Sequence, residues 1–187
     1  MYKALLLDFG GVVFKNKARY EGPQGLLDID KDLWDQGLVG KISDDTLFSV
    51  TGEKYNVDAE TIKSWLLSRR EINEELISLL SRLKPGIKTA VVNNGIKTLF
   101  HMLLDKYDVT SKFNLVINSA EEGVKKPDPN LYLITCDRLE VTPKECVFVD
   151  DNESFINGAE QVGMHGCYFS TVDNLAAELS KLDLLVI

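Results

Sequence analysis

Asp8 closes the apolar run in LLLDFGGVV, and Asn93 and Asn94 close the run in AVVNNG. Lys126 stands in GVKKPDP, and Asp150 and Asp151 follow CVFV. Carboxylates, amides and a lysine at the ends of separate apolar runs suit a divalent cation and a phosphoryl group. Magnesium takes a few hard oxygen ligands and keeps several waters, so Asp8, a backbone carbonyl and Asp151 suffice to hold it. A lysine supplies a point charge for the anion against this acidic background. Asp8 is ionised at neutral pH, so it can attack phosphorus and form an aspartyl-phosphate without a base to activate it. Each position alone has a plainer reading. A strand-end Asp or Asn forms turns, Asp150, Asp151 and Asn152 can cap a following helix, and Lys125 and Lys126 can be a solvated pair. Their joint occurrence at several strand ends favours the chemical reading.

The elements that must position these groups are legible in part. ALLLDF (4–9), KTAVVN (88–93), NLVIN (114–118), ECVFVD (145–150) and HGCYFS (165–170) are short apolar runs of the kind that parallel strands buried on both faces produce. Between them, EINEELISLLSRLK places Ile72, Leu76, Leu79, Leu80 and Leu83 at helical spacing on one face. DPNLYLITCDRL opens with Asp128 as an N-cap and Pro129 at the first helical position. NESFINGAEQVG and VDNLAAELSKL supply two further helices. Strands alternating with helices predict a doubly wound α/β layer structure, whose ligands sit beyond the carboxyl ends of the strands.

Residues 15–71 break this rhythm. A loop-like stretch with Gly22, Pro23 and Gly25 leads into helical patterns near 30–37, 43–52 and 58–70, with Ser43 and Asp58 as caps and no strand signal of comparable strength. The pattern predicts a small helical insertion (15–71) after the first strand, within a core formed by 1–14 and 72–187. Trp34 and Trp65 read as packing residues of that insertion. Arg69 and Arg70 end it; helix-end charges are ordinarily solvated, and either can face a phosphate if the insertion closes. Gly11 permits a tight turn after Asp8.

Composition removes several function classes. The 187 residues are 44% hydrophobic, enough for one core with a small lobe, and carry a net charge of -8. A pI of about 4.8 argues against nucleic acid or an anionic membrane as partner and favours a small molecule. Cys136, Cys146 and Cys167 form no CxxC or Cys/His cluster, which fits a reduced, cytoplasmic protein, and two histidines make zinc chemistry a poor fit. The opening MYKALLLDF meets an acid too early for a targeting leader, and no apolar run approaches a membrane span.

LLLDFGGVV, AVVNNG, GVKKPDP and CVFVDDNESFINGAEQVGM together resemble, in order and spacing, the four motifs of the haloacid dehalogenase-like (HAD) hydrolase superfamily. GLVGKISDDTLF resembles that family's C1-type helical cap. The resemblance implies a Rossmann-like three-layer sandwich with a parallel sheet and a metabolite phosphatase dependent on Mg2+. It implies Asp8 as nucleophile and metal ligand, the Gly10 backbone carbonyl and Asp151 as further ligands, and Asp150 beside them. Asn93 and Asn94, where the family carries Ser or Thr, are implied as phosphate contacts, and Lys126 as the motif-three lysine. Position 10 carries the general acid in the family's phosphatases, and Gly10 cannot supply it. Phe155 stands where an acid or amide often anchors the site. A slow phosphatase fits these departures, since a general acid is worth roughly 10²- to 10⁴-fold. A catalytically impaired binding or regulatory protein fits them too. A metal-independent dehalogenase fits less well, because no halide cradle is evident. A phosphorelay receiver domain would place its acidic pair before its lysine, the reverse of the order here.

Overall fold

The computed structural model describes residues 1–16 and 29–186, so the stretch with Gly22, Pro23 and Gly25 lies outside the described residues. The chain opens with β1 (Ala4–Leu7) and β2 (Phe14–Asn16), passes through α1 (Lys31–Leu38), α2 (Asp44–Tyr55) and α3 (Ala59–Ser68), and returns through β3 (Arg70–Ile72). It continues as α4 (Glu74–Leu80), β4 (Lys88–Asn93), α5 (Lys97–Tyr107), β5 (Leu115–Asn118), α6 (Ser119–Glu122) and α7 (Pro129–Leu139). The last elements are β6 (Cys146–Asp150), α8 (Glu153–Gln161), β7 (His165–Tyr168) and α9 (Val172–Lys181). No helix among the described residues is long and apolar enough to cross a membrane.

The five expected apolar runs form one sheet in the order β5-β4-β1-β6-β7, with every pairing parallel. Alternation along β1 feeds two cores. Leu5 and Leu7 join a layer with Leu76, Phe100 and Leu179, while Ala4 and Leu6 face Leu131, Tyr132 and Ile156. Helices therefore cover both faces of a central parallel sheet, which is the three-layer sandwich expected from the sequence. β1 sits in the middle of the sheet, so the groups that close β1, β4 and β6 emerge side by side at one edge.

The helices of the insertion begin where their caps predict. Ser43 accepts from Thr46 N and Asp58 from Thr61 N, and Asp128 does the same for Asn130 N at the start of α7. Helix α5 was not expected, although Ile96, Phe100, Leu103, Leu104 and Tyr107 follow helical spacing. Its N-cap, Ile96, offers no side-chain acceptor. Asp44, from the first turn of α2, accepts from Thr98 N instead. One lobe thus finishes the helix of the other.

The insertion also contains strands where none was expected. β2 and β3 pair antiparallel, with Phe14 opposite Ile72, Lys15 opposite Glu71 and Asn16 opposite Arg70. Three-residue strands with charged members are too short to show alternation, which is why the sequence reads as loop and helix there. Three differences at element ends follow. Helix α3 stops at Ser68, Ile72 belongs to β3 rather than to α4, and Leu83 lies beyond α4, bridged to Leu185. The ribbon makes the chain leave and re-enter the core at one point. Leu47, Phe48, Ile62 and Trp65 form the insertion's own small core with Ile96, and Trp34 and Leu99 pack against it.

Asn73 fixes this re-entry. It is 1% exposed, its Oδ1 accepts from Leu76 N at 3.3 Å to cap α4, and its Nδ2 donates to Val12 O at 3.1 Å. Asn73→Ala removes the cap and strands a buried carbonyl, so a loss of about 2 kcal/mol is expected. A lower urea midpoint with unchanged m-value measures it.

Candidate active site

The turn after β1 sets the position of Asp8. Asp8 N donates to Val149 O at 2.9 Å, binding the end of β1 to β6, and Asp8 O accepts from Val13 N at 3.3 Å. Phe14 N donates to Phe9 O and Gly11 N to Phe14 O, each at 2.7 Å, so the chain doubles back immediately. Gly11 makes this possible with φ at +109°, and a Cβ there would overlap the Asp151 carboxylate. The carboxylates after β1 and β6 therefore approach each other across a glycine.

Lys126 stands at the centre of the group. Its side chain is fully buried, and Nζ donates to Asp8 Oδ1 and, at 2.7 Å, to Asp150 Oδ2. Burial alone would push the ammonium pKa down, but the charges and hydrogen bonds of the two carboxylates raise it. The rings of Phe155 and Phe148 lie 5.1 and 5.5 Å from Nζ. Phe155 thus replaces the missing polar anchor with a π-face against the lysine. Lys125, the alternative lysine, pairs instead with Asp35 of α1 at 2.6 Å.

Asn94 holds the backbone that carries this lysine. Its Oδ1 accepts from Lys126 N at 2.8 Å, and its Nδ2 donates to Lys126 O at 2.9 Å. The amide expected at the phosphate is therefore largely spent on positioning Lys126. Asn93 Nδ2 donates to Asn118 Oδ1 at 2.9 Å, which leaves one N–H of that amide for a ligand. Asn93 lines the cavity together with Asp8, Gly10 and Asp151.

The adjacent acids divide their work. Asp150 has its Oδ2 on Lys126 and its Oδ1 accepting from Asn152 N at 2.9 Å, so both oxygens are engaged. Asp151 is exposed and leans toward the Gly11 backbone, while Asn152 caps α8. Burial pushes Asp150 up to about 6, with Lys126 opposing the shift and Asp8 adding to it. Burial also raises Asp151, followed by the charge of Asp8. Ligand oxygens of Asp8, Asp150 and Asp151 lie within 4.8 Å of one another. Hard oxygen donors with more negative charge than Lys126 offsets are what a divalent cation such as magnesium requires.

Asp8 and Asp151 line a cavity of about 490 Å³ between the core and the insertion, while Asp150 lies buried behind them. Ile29, Trp34, Trp65 and Leu66 line it from the insertion, and Ile96 and Leu99 from the core. Arg69 and Arg70 also line it, both partly buried. Spacing does not reveal that Arg70 lines the cavity beside Gly10, because the ribbon that carries it in has no sequence signal.

Lys126→Met leaves Asp8 and Asp150 buried without their cation, and an unfolding free energy lower by about 3 kcal/mol or more at pH 7 is expected. A carboxylate whose folded pKa is raised stabilises the fold in its protonated form and loses that contribution as pH rises through the folded value. The deficit of the variant should therefore narrow between pH 7 and pH 5, read from urea titrations at both pH values without added metal.

Comparison with known proteins gives the same assignment of fold. A family model described as haloacid dehalogenase-like hydrolase matches residues 2–163. A sesquiterpene phosphatase of Aspergillus oryzae is 28% identical over 97% of this chain and 96% of its own length. A drimenol cyclase of Aspergillus calidoustus is 23% identical over 97% of this chain, which spans 37% of that protein. A HAD family enzyme of Bacteroides thetaiotaomicron, solved with magnesium and inorganic phosphate, superposes with a TM-score of 0.80 at 19% identity, covering 91% of this chain and 95% of that one. With its parallel sheet, its ordered motifs and this family match, the chain belongs to the haloacid dehalogenase-like hydrolase family.

Proposed function

We propose that this hydrolase is a magnesium-dependent phosphatase acting on phosphate monoesters with an apolar body. The observation that carries the reading is the joining of Asp8, Lys126 and Asp151 beneath a cavity with apolar walls. Asp8, the Gly10 carbonyl and Asp151 would hold the ion, which when bound supplies positive charge against the phosphoryl oxygens. Asp8 Oδ is the nucleophile, because it is the acid shared between the lysine and the cavity floor. Lys126 holds Asp8 in place through their ion pair, and the free N–H of Asn93 donates to a phosphoryl oxygen.

The walls select the rest of the substrate. Trp34, Trp65, Leu66, Ile96 and Leu99 offer few hydrogen bonds to a sugar and a large apolar surface to a hydrocarbon. Similarity to a sesquiterpene phosphatase over nearly the full length of both proteins supports the same preference. Asp35 ties α1 to Lys125, and Ser119 Oγ donates to Leu38 O, so the insertion closes over the site through contacts beside the motif-three segment. Closure excludes water from the phosphoryl group while it is transferred.

Turnover of prenyl and aryl monophosphates with a kcat/KM at least about tenfold above that of sugar phosphates is expected, as burial of only two extra methylenes provides that ratio. EDTA should abolish it, and Asp8→Asn should lower kcat by about 10³-fold or more. Beryllofluoride binding in magnesium without turnover of any ester would instead leave a binding protein.

A further inference from the structure

Gly10 lacks the side chain that donates a proton in the family's phosphatases, but its place is not empty. A Cβ built on Gly10 would stand 3.3 Å from Nη1, 3.5 Å from Nη2 and 3.6 Å from Cζ of Arg70. The guanidinium occupies the space that the missing acid would enter. It is held there by Nη1 donating to Asn16 Oδ1 at 2.7 Å, across the β2–β3 ribbon, while the Tyr107 hydroxyl donates to the Arg70 carbonyl at 3.2 Å. Arg70 makes no ion pair with any described carboxylate, although Asp8 and Asp151 are near enough to act on its charge. Most of its N–H donors are therefore uncommitted, and it lines the cavity with both acids.

We propose that Arg70 takes over the leaving-group side of the reaction, stabilising the departing oxygen as an anion where a proton donor is absent. The assignment rests on the phosphatase reading above. In the first step an Asp8 oxygen forms a bond to phosphorus, the ester P–O bond breaks, and its electron pair leaves on the alcohol oxygen as RO⁻. Arg70 donates hydrogen bonds to that oxygen as charge develops, and solvent protonates it after release, leaving hydroxide. In the second step water adds to the aspartyl-phosphate, the P–O bond to Asp8 breaks and its electron pair restores the carboxylate. Both protons of that water depart on phosphate as H₂PO₄⁻, which neutralises the hydroxide. The sum is ester plus water giving alcohol plus HPO₄²⁻. An arginine does not release a proton in this range, so it assists without acting as an acid.

The consequence is a preference within the substrate class. Esters whose oxygen leaves readily as an anion, such as aryl and enol phosphates, should be favoured over simple alkyl phosphates. A carboxylate placed at position 10 would meet the guanidinium and pair with it, which keeps it deprotonated. Restoring the acid therefore fails unless the arginine is removed as well.

The test uses the full chain in magnesium with a series of aryl phosphates of graded leaving-group pKa. Arg70→Ala is expected to lower kcat by about 10²-fold on the poorest leaving groups. It should lose progressively less on better ones, and guanidinium chloride in the millimolar range should restore part of the rate. Arg70→Lys should retain an intermediate rate. Gly10→Asp should stay slow, and Gly10→Asp with Arg70→Ala should exceed either single variant. A loss uniform across the series without guanidinium rescue, or a gain from Gly10→Asp alone, overturns the assignment. Should Arg70→Ala unfold, the Gly10→Asp result decides by itself. Beryllofluoride binding to the wild type separates the two levels: binding with a uniform loss removes only the role of Arg70. No binding and no turnover removes the phosphatase reading and this inference with it.

Discussion

The buried ammonium of Lys126 between Asp8 and Asp150 is the interaction on which the site depends. Three carboxylates gathered within 4.8 Å repel one another, and a lysine enclosed in protein is equally unwelcome without acids. Each makes the other tolerable. The assembly joins three distant parts of the chain, because the acids close β1 and β6 while the lysine enters from the segment before α7. Its geometry is reinforced around the cation rather than by it alone. Asn94 grips the Lys126 backbone at both polar atoms, and two phenyl rings stand beside the ammonium. A hydrogen-bonded and aromatic setting of this kind keeps a long, flexible side chain from choosing another rotamer.

Above this charged floor the chemistry changes abruptly. Tryptophan, leucine and isoleucine drawn from two lobes make up much of the cavity wall, with Lys31 and Arg69 among them, and the small insertion core includes Ile96 of the central domain. In the proposed reading the floor serves the phosphoryl group, whereas the walls discriminate by shape and hydrophobicity. Such separation lets one reactive centre serve different molecules as the wall residues vary.

Most of the core was legible because its signals are local. Five continuous apolar runs became five parallel strands, and Ser43, Asp58 and Asp128 marked helix starts through hydrogen bonds to residues two or three positions away. The motif residues Asp8, Lys126, Asp150 and Asp151 come together, and they were nameable because each ends a strand or precedes a helix. What escaped depends on partners far along the chain. Helix α5 starts without a capping residue of its own, and the β2–β3 ribbon consists of two fragments too short to show a period. The side-chain work of Asn94 is directed at a residue 32 positions later. Arg70 fills the space beside Gly10 although β2 and helices α1, α2 and α3 stand between them in the described chain, so no spacing rule connects them. Phe155 was read as a loss, since only the fold shows that its ring meets the lysine.

The hydrogen bond from Thr98 N to Asp44 bears on how far the two lobes are separable. Helix α5 belongs to the sheet's own covering layer, yet its first turn is completed by a carboxylate from the insertion. A lineage that trimmed the insertion away would open that turn to solvent and bare Ile96 and Leu99, so the catalytic layer itself would be wounded. Lobes joined in this manner depend on each other for their local structure. Replacement of the whole insertion would have to bring a substitute acceptor for Thr98 N, whereas exchange of wall residues within it would leave that turn intact.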